Sequence, residues 1–435
     1  MAEKPLNRIL HVDADSFFAS CEIALDRSLE GKPVWVGGGR RGDGIVIAAN
    51  RLAKKFGIKT GTACFEAKQL CPQGVLCRPH YDAYRDLSEK MFRILEQYSP
   101  VLLPISVDEA FLDLSGFGRE ALQGRTMEQY VTALRTHVMQ ELHLPVSAGL
   151  ANSSKLAKLA TDAAKPGFLE VPAGEEKQFL KNRPVRELSG VGEKLELSLT
   201  RIGLKTFGDV ANASAMFLHK KFGIWGQELW LLSNGLWSAP LVVENKDRTT
   251  ISSSTTLPKD ETDYEAVLTF THSETLRLIG ELRRENLQPK ELQLTIRFFD
   301  FTEEGCSFRL QHPNIQNSII GGLIEEMYWS VLRDRTKSIR QVRLVMQNLS
   351  PIDIQPSLWG RTLDERVLLL DKATSALKAK FGAKSVKTGY DLALEHLKAP
   401  ISEKKAKCPF VPKREMIEKL GLLSRKESIQ NKEQA

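Results

Sequence analysis

Three acidic side chains stand where strands of a sheet are expected to end. Asp13 directly follows the short apolar-rich run Arg8–Val12, which is typical of a buried strand. Asp108 and Glu109 follow the β-capable run Val101–Ser106, at the point where a hairpin turn is expected. Because the ends of neighbouring strands lie side by side, the sequence predicts that these three carboxylates converge.

Carboxylates that converge from separate segments suit chemistry on phosphate groups. Transfer of a nucleotidyl group needs metal ions that activate the attacking oxygen and neutralise the leaving group, with little covalent help from the protein. Carboxylate oxygens are the ligands that hard cations such as Mg²⁺ prefer, and Mn²⁺ accepts them as well. A single aspartate at a strand end is usually a turn residue, so the prediction of a two-metal site depends on all three residues.

The elements that must position these residues follow the order β, α, β, β, α, β. That order is typical of a ferredoxin-like fold, an antiparallel sheet with helices on one face. The strands are predicted at 8–12, 101–106, 110–114 and 146–150, and the helices at 81–98, 127–143 and 153–164. An inserted block, 32–77, contains strands at 33–36 and 45–48 around a glycine cluster and helices at 49–56 and 65–71.

The second half of the chain divides into a helical segment and a further mixed unit. Residues 170 to about 240 look all-helical, and the polar stretch 244–250 is typical of a linker. Beyond it we predict strands at 251–256, 292–299, 307–311 and 341–349 and helices at 264–285 and 315–333. From about Ser402 the chain is charged and without periodicity, which predicts disorder.

From the composition we expect a globular protein of the cytoplasm. No apolar run approaches the roughly 18–20 residues that span a bilayer, and the first residues lack the apolar core of a secretory signal. The six cysteines form no C-x-x-C pair, so we expect them to be reduced and structural. The net charge is +7, but residues 398–435 hold ten Lys/Arg against five Asp/Glu, a net +5, which leaves only +2 for the body. A nucleic-acid surface must therefore come from local clustering of basic residues.

Three motifs, in order along the chain, resemble those of Y-family DNA polymerases, and most closely the bacterial polymerase IV-like members. His11–Glu22 (HVDADSFFASCE) resembles their opening motif, and Ser106–Asp113 (SVDEAFLD) resembles their second carboxylate motif. Ser147–Ala151 (SAGLA), with KLAKLA at 155–160 and AKPG at 164–167, resembles the third. The resemblance runs from about residue 8 to about residue 395.

The resemblance implies an α+β multidomain fold with a ferredoxin-like palm, fingers, a helix-hairpin-helix thumb and a C-terminal α/β little-finger domain. It implies a palm at 1–23 and 80–168, fingers at 24–79, a thumb at 169–240, a linker at 241–250, a little finger at 251–352, a clamp-binding peptide and C-terminal helix at 353–398, and a basic tail at 399–435. The implied activity is template-directed, distributive DNA synthesis past lesions, on primer–template DNA with deoxynucleoside triphosphates. We expect a monomer.

Carried over residue by residue, the resemblance assigns roles within the opening and second motifs. Asp13, Asp108 and Glu109 match the ligands of two Mg²⁺ ions, with Mn²⁺ as a substitute, and Ala14 would add a backbone carbonyl. Phe18 matches the steric gate, the aromatic ring that clashes with a ribose 2′-hydroxyl; the alternative for Phe18 is simple core packing. For Asp15 we expect a structural role.

Triphosphate contacts are expected from Phe17, Arg51, Lys54 and Lys165. Arg51 and Lys54 are three residues apart on a predicted helix and so share one face. The family often has tyrosine at the Arg51 position and arginine at the Lys54 position, so this chain departs from the pattern but keeps a cation. The alternative for each is a solvated surface charge.

DNA contacts are expected from a glycine turn and from the little finger. Leu188–Gly192 resembles a helix-hairpin-helix turn, in which the N–H groups around Gly190 and Gly192 bind a DNA phosphate and Lys194 adds charge. The alternative is a plain turn between two helices. In the little finger the candidates are Arg297, Arg309, Arg340 and Arg343, and the sequence does not choose among them.

A short peptide, Gln355–Trp359 (QPSLW), resembles the segment by which bacterial polymerases bind the sliding clamp. Gln355, Leu358 and Trp359 would be its anchors; the alternative is a loop that leads into a helix at 364–381. Two other functions remain open at this point. One is a non-catalytic, clamp-tethered DNA-binding accessory protein with a polymerase-like body, and the other is a nucleotide cyclase, whose palm-like sheet also carries paired carboxylates.

Overall fold

The structure is a computed structural model that describes residues 7–38, 44–118, 120–237, 241, 247–332 and 336–352, with a few helical positions between 369 and 381. It divides into two compact units, Met1–Glu244 and Asn245–Ala435, and each is described by itself. No helix among these residues is long and apolar enough to cross a membrane. The clamp-like peptide, the glycines at 39 and 42 and the basic tail lie outside the described residues.

The first unit alternates strands and helices before becoming helical. In chain order its elements are β1 (Ile9–Ala14), α1 (Phe17–Leu25), β2 (Val34–Gly37), β3 (Val46–Ala49), α2 (Arg51–Lys54), α3 (Cys64–Leu70), β4 (Val75–Cys77), α4 (Tyr81–Leu95), β5 (Leu102–Pro104), β6 (Glu109–Asp113), α5 (Met127–Leu142), β7 (Val146–Ala151), α6 (Ser154–Ala164), β8 (Phe168–Glu170), α7 (Glu176–Leu180), α8 (Glu193–Thr200), α9 (Phe207–Asn212) and α10 (Ala215–Ser233). Two 3₁₀ turns, Arg27–Leu29 and Val185–Glu187, join them.

The central sheet of this unit has the strand order β5-β6-β1-β7-β8. Its first four strands are antiparallel neighbours, as in a ferredoxin-like fold. The fifth strand, β8, is parallel to β7 and was not expected from the sequence. At three residues it is too short to leave a periodic signal.

Helices cover both faces of this sheet, so the expectation of helices on one face is wrong for α6. Leu10 and Val12 of β1 share a core with α4 and α5. Ile9, on the opposite face of the strand, packs with Leu156 and Leu159 of α6. Because both faces of β1 are buried, its sequence is a nearly continuous apolar run that does not reveal on which side a helix lies.

The inserted block forms a small sheet of its own, with the order β3-β2-β4. The third strand, β4, runs parallel to β2 and was also missed by the sequence analysis. The predicted helix at 49–56 is shorter in the structure, because Asn50 caps α2 by accepting a hydrogen bond from the Ala53 N–H at 2.9 Å. The Asn50 carboxamide also accepts from the Val34 N–H at 3.1 Å, which fastens α2 to the sheet.

From α7 to α10 the named elements of the described residues are all helices or 3₁₀ turns, joined by short loops, as the sequence predicted. Its buried side chains, among them Leu199 and Phe207, belong to the same core as Leu156 of α6. A polar contact adds to this packing, since Lys155 of α6 and Glu228 of α10 form an ion pair at 2.8 Å. This helical segment therefore packs against the face of the sheet on which α6 lies.

The second unit is a four-stranded sheet with two long helices. In chain order its elements are β9 (Thr250–Glu261), α11 (Tyr264–Arg284), β10 (Leu287–Gln288), β11 (Glu291–Phe298), β12 (Glu303–Arg309), α12 (Asn317–Val331), β13 (Ile339–Gln347) and β14 (Ser350–Pro351). The sheet has the order β12-β11-β13-β9 and is antiparallel throughout. Strand β11 alternates strictly, with Leu292, Leu294 and Ile296 buried in the core that includes both helices, so its other residues form an open polar face.

Candidate active site

The three carboxylates stand together at one edge of the central sheet. Asp13 is the direct cross-strand partner of Glu109 in the antiparallel pair β1–β6. One residue further on, the Ala14 N–H donates to the backbone oxygen of Asp108 at 2.9 Å, which fixes the hairpin turn against the end of β1. Directly opposed residues of an antiparallel pair have Cα atoms roughly 4.5–5.5 Å apart. The convergence that the sequence predicted therefore exists at the level of the backbone.

Each carboxylate has a partner in this structure. Asp13 Oδ1 accepts from the Lys165 ammonium at 2.9 Å, Glu109 forms an ion pair with Lys158, and Asp108 accepts from the Ser106 hydroxyl. Burial raises the pKa of Asp13, and the neighbouring charge of Asp108 adds to this effect while Lys165 opposes it. The three carboxylates thus concentrate negative charge at a half-buried edge of the sheet, where two lysine ammonium groups already pair with them.

The donor set fits divalent metal ions. Its oxygens are hard ligands, and they come from two adjacent strand ends, which is the arrangement that metal-assisted phosphoryl transfer requires. Within the described part of the chain, no three acidic, histidine or cysteine side chains are arranged as a ready ligand set. Asp13 is turned towards Lys165 instead, so holding a metal ion there would require rotation of the Asp13 side chain but no change in the sheet.

Phe18 lies next to this edge, on the first turn of α1. Its ring stacks on Tyr84 at 4.8 Å and meets Tyr81 edge-on at 6.0 Å, and it is only partly buried. The Tyr84 hydroxyl in turn donates to Glu22, which is itself buried. Tyr84 and Tyr81 therefore support the Phe18 ring while Phe18 remains partly exposed.

Phe17 has a different environment from its neighbour. Its side chain is 3% exposed and belongs to the core of the sheet, so the side chain cannot reach a nucleotide. Its backbone N–H can still donate a hydrogen bond, because Phe17 is the first residue of α1 and the first N–H groups of a helix have no partner within the helix. A triphosphate contact at Phe17 is thus limited to the backbone.

Two of the three predicted cations lie beside the site. The Lys54 ammonium donates to the Ser16 hydroxyl at 3.0 Å, which brings the end of α2 to the start of α1. Lys165 pairs with Asp13 and, at 3.1 Å, with Asp162. Although burial opposes the charge of Lys165, its hydrogen bond and its attraction to Asp13 raise the pKa of the ammonium. Arg51 is exposed at the start of α2, on the same face as Lys54.

Several residues that contact the carboxylates from the side of α6 were not predicted from the sequence. The buried His11 lies 3.4 Å from Glu109, and its other ring nitrogen lies 2.9 Å from the Thr161 hydroxyl. The signal was present, because His11 and Asp13 are two apart on a strand and must share a face. The partners on α6 could not be found, since the sequence did not reveal that α6 covers that face. Asp15, for which a structural role was expected, accepts from the Ser147 hydroxyl at 2.8 Å.

The glycine turn before α8 has the geometry that binding through the backbone needs. Gly190 has φ of +101°, a conformation that favours glycine, and Gly192 is the N-cap of α8. Both glycines are exposed, and a Cβ at either position would meet nothing within 4 Å. Leu188 and Val191 are buried and anchor the turn, and the element before it is a 3₁₀ turn instead of an α-helix.

The four candidate arginines of the second unit differ in their surroundings. Arg297 and Arg343 flank Thr295 on that face, and together with Ser254 and Gln341 they line a shallow polar cleft. Arg309 pairs with Glu291 in register and therefore lies on the same face. Two of the four are paired with carboxylates: Arg340 forms a bidentate ion pair with Asp260, at 3.0 Å for both contacts, and Arg297 forms an ion pair with Glu303. Either arginine would have to leave its acidic partner to contact a phosphate.

Comparison with known proteins gives a consistent result over most of the chain. The profile of the impB/mucB/samB family matches residues 12–162, and the profile of that family's C-terminal domain matches residues 248–357. The chain is similar to DNA polymerase IV of Dehalococcoides mccartyi, at 34% identity over 400 residues that cover 90% of this chain and 99% of the relative. It is also similar to DNA polymerase IV 1 of Bacillus subtilis, at 30% identity over 90% of this chain and 94% of the relative.

Solved structures agree on the fold. A Y-family DNA polymerase chimera matches with a TM-score of 0.68 at 24% identity, over 79% of this chain and all of the other. DinB from Sulfolobus solfataricus matches with a TM-score of 0.52 at 24% identity, over 78% of this chain and 98% of the other. The chain belongs to the impB/mucB/samB family, the Y family of DNA polymerases. It is a DNA-directed DNA polymerase of the translesion type.

Proposed function

We propose that this polymerase extends a primer on template DNA by a two-metal mechanism, with Asp13, Asp108 and Glu109 and the backbone carbonyl of Ala14 as the metal ligands. The observation that carries the proposal is the register of β1 and β6, which pairs Asp13 with Glu109 and ties Ala14 to Asp108. Mg²⁺ is the proposed ion, and Mn²⁺ its substitute, because the donors are all hard oxygens. When bound, the two ions would activate the primer hydroxyl and neutralise the leaving pyrophosphate.

Basic side chains and a backbone N–H at the start of α1 bind and orient the incoming deoxynucleoside triphosphate. Lys54 and Lys165 supply positive charge on either side of the start of α1, and the N–H of Phe17 supplies a neutral donor at the same place. Arg51 extends this basic face by one helical turn. A triphosphate at the helix start would compete with Ser16 for Lys54 and with Asp13 for Lys165, which would release the Asp13 carboxylate for a cation.

Phe18 is proposed as the steric gate. Tyr84 backs its ring, so the ring cannot retreat from a ribose 2′-hydroxyl. The alternative of simple core packing is less well supported, because Phe18 remains partly exposed while Phe17 is fully buried.

DNA would be held through its phosphates, without reading of sequence. We propose that Gly190, Gly192 and Lys194 bind one backbone phosphate and that Arg297, Arg309 and Arg343 contact others. We also propose the domain bounds predicted from the sequence: a palm at 1–23 and 80–168, fingers at 24–79, a thumb at 169–240, a linker at 241–250 and a little finger at 251–352. The proposed clamp-binding residues Gln355, Leu358 and Trp359 lie outside the described residues, and a monomer remains the expectation.

The two other functions are not favoured. A non-catalytic accessory protein would not need three carboxylates at one sheet edge, and this chain has all of them. A nucleotide cyclase would have no use for the glycine turn or for the second sheet with its polar face.

Running-start primer extension on undamaged and damaged templates tests the proposal. With Mg²⁺ and the four deoxynucleoside triphosphates, the full chain should extend the primer up to and past the lesion. In excess primer–template the products should lengthen by a few nucleotides per binding event. Failure to extend either template, with folded protein and active substrates, would reject the proposed function. Extension that always stops at the lesion would reject bypass alone.

A further inference from the structure

One face of α6 reaches over the strand that carries Asp13. Lys158 and Thr161 are three residues apart and so lie together on that face. The approach is close because residue 149 of β7 is glycine. A Cβ at Gly149 would stand 2.3 Å from the Ala157 carbonyl oxygen and 2.3 Å from the Thr161 nitrogen. The sheet and the helix are thus in direct backbone contact next to the carboxylates.

Thr161 fixes the ring of His11, and both residues are fully buried. The Thr161 hydroxyl oxygen lies 3.0 Å from the Ala157 carbonyl oxygen of its own helix and 2.9 Å from His11 Nδ1. The His11 ring also packs against Phe111, with centroids 4.7 Å apart. These contacts leave His11 Nε2 as the ring atom that faces Glu109.

Two side chains meet the same oxygen of Glu109. His11 Nε2 lies 3.4 Å from Glu109 Oε2, and the Lys158 ammonium contacts that same Oε2. In the described part of the chain, the side-chain contacts of Glu109 all end on Oε2. The Glu109 carboxylate is therefore held by one oxygen only.

We infer that His11, Lys158 and Thr161 are positioning residues for Glu109, which hold Oε2 from α6 and thereby present Oε1 to a divalent cation. The inference rests on the proposed function, in which Glu109 is a metal ligand. Partners behind a ligand orient it, and their loss typically costs 10–100-fold in metal affinity or activity. Because Thr161 touches neither substrate nor metal in this arrangement, it separates positioning from direct ligation.

The test is a pair of substitutions at Thr161 in the full-length chain. Thr161→Val keeps the shape but removes the hydroxyl that orients His11, whereas Thr161→Ser keeps the hydroxyl. Each protein is bound to a primer–template with a dideoxy-terminated primer and the correct deoxynucleoside triphosphate. Free Mn²⁺ is then measured by electron paramagnetic resonance during a titration. We expect Thr161→Val to weaken Mn²⁺ binding by about tenfold and Thr161→Ser to bind as the wild type does.

A second substitution makes the result independent of the folding of the valine variant. His11→Phe retains a ring to pack against Phe111 and removes the contact with Glu109, so it should weaken Mn²⁺ binding as Thr161→Val does. Single-nucleotide incorporation without the dideoxy terminus should show the same shift in the Mn²⁺ concentration needed for half-maximal rate. Wild-type Mn²⁺ affinity in His11→Phe, or equal losses in Thr161→Ser and Thr161→Val, would overturn the inference.

Glu109→Gln distinguishes failure of this inference from failure of the proposed function. If Glu109→Gln binds Mn²⁺ as tightly as the wild type, Glu109 is not a ligand and the proposed metal site is wrong. If Glu109→Gln binds Mn²⁺ weakly while His11→Phe and Thr161→Val bind it as the wild type does, Glu109 is a metal ligand but His11 and Thr161 do not position it.

Discussion

At the scale of single residues, what an aromatic ring does here depends on what lies behind it. Phe17 and Phe18 are adjacent, yet one is core and the other forms part of a wall with Tyr81 and Tyr84. The sequence motif alone did not distinguish their environments. The α1 helix does, because consecutive residues of a helix point about 100° apart.

Replacing Phe18 with alanine should relax the choice of sugar. The ring's bulk is the obstacle to a 2′-hydroxyl, so its removal should raise kcat/KM for a ribonucleotide relative to the deoxynucleotide by at least about tenfold. Steady-state single-nucleotide incorporation measures the ratio. Phe18→Tyr keeps the ring and serves as the control. Undiminished rejection of ribonucleotides by Phe18→Ala would remove Phe18 from the role of gate.

A matched pair of lysines tests the triphosphate contacts. Lys54 touches Ser16 at the start of α1, whereas its neighbour Lys55 is an exposed cation outside the proposed site. Loss of a charged hydrogen bond of roughly 1.5–3 kcal/mol should raise the KM for the nucleotide by about tenfold or more in Lys54→Ala. Lys55→Ala should leave KM unchanged. Equal KM values for both variants in the incorporation assay would show that Lys54 does not bind the nucleotide.

At the scale of elements, the placement of α6 decides the architecture of the site. The helix lies on the face of β1 that carries His11 and Asp13, and it supplies Lys158, Thr161 and, just beyond its end, Lys165. Gly149 permits this contact. The site is therefore a product of one helix–sheet interface as much as of the strand ends.

Gly149→Ala should destabilise the first unit. The added methyl would overlap backbone atoms of α6, which cannot move independently, and such overpacking typically costs about 1–3 kcal/mol. Thermal unfolding monitored by circular dichroism should show a lower Tm. Gly118→Ala is the control, since a Cβ at Gly118 meets nothing within 4 Å. A Tm for Gly149→Ala equal to that of the control would contradict the close contact.

Much of the element order could be predicted from the sequence, and the exceptions have physical causes. The long helices α4, α5, α11 and α12 were found within a few residues because their apolar periodicity is sustained. The strands β4 and β8 were missed because three residues carry no period. The prediction that all helices lie on one face of the sheet was wrong for α6, because β1 is buried on both faces and its sequence shows no alternation.

The same contrast holds for the site. Asp13, Asp108 and Glu109 could be brought together by counting strands, because the ladder of a sheet is a regular lattice. The contacts of Lys158 and Thr161 could not be predicted in this way, because they depend on how a helix crosses the sheet. The side chains of the sheet were thus predictable from the sequence, while those that hold them from α6 were not.

At the scale of the whole molecule, the chain combines a catalytic unit with a second unit whose outward sheet face is polar. The face of that sheet towards its two helices carries the buried Leu292, Leu294 and Ile296, whereas Arg297, Thr295 and Arg343 lie on the other face. The net charge did not predict this polar face with its arginines, because the chain outside the tail carries a net charge of only +2. Only the alternation of the strands separates the two faces.

Tethering to a sliding clamp should depend on the proposed peptide alone. Replacing both Leu358 and Trp359 with alanine removes the two apolar anchors, and anchors of this kind dominate the binding energy of small interfaces. The double variant should keep basal primer extension and lose stimulation by the clamp. The readout is product length with and without clamp, and full stimulation of the double variant would eliminate this peptide as the clamp-binding site.

The central claim is that three carboxylates at one sheet edge hold the metal ions of nucleotidyl transfer, and two aspartates of one segment test it most directly. Asp108 belongs to the proposed site, whereas Asp113, at the far end of β6, caps a turn by accepting from the Ser115 N–H at 2.8 Å. The measurement is the rate of single-nucleotide incorporation by Asp108→Asn and by Asp113→Asn with Mg²⁺. Loss of a metal ligand is expected to remove several kcal/mol of transition-state stabilisation, so Asp108→Asn should be slower by at least about a thousandfold, with Asp113→Asn unchanged. Incorporation by folded Asp108→Asn at the wild-type rate would contradict the account.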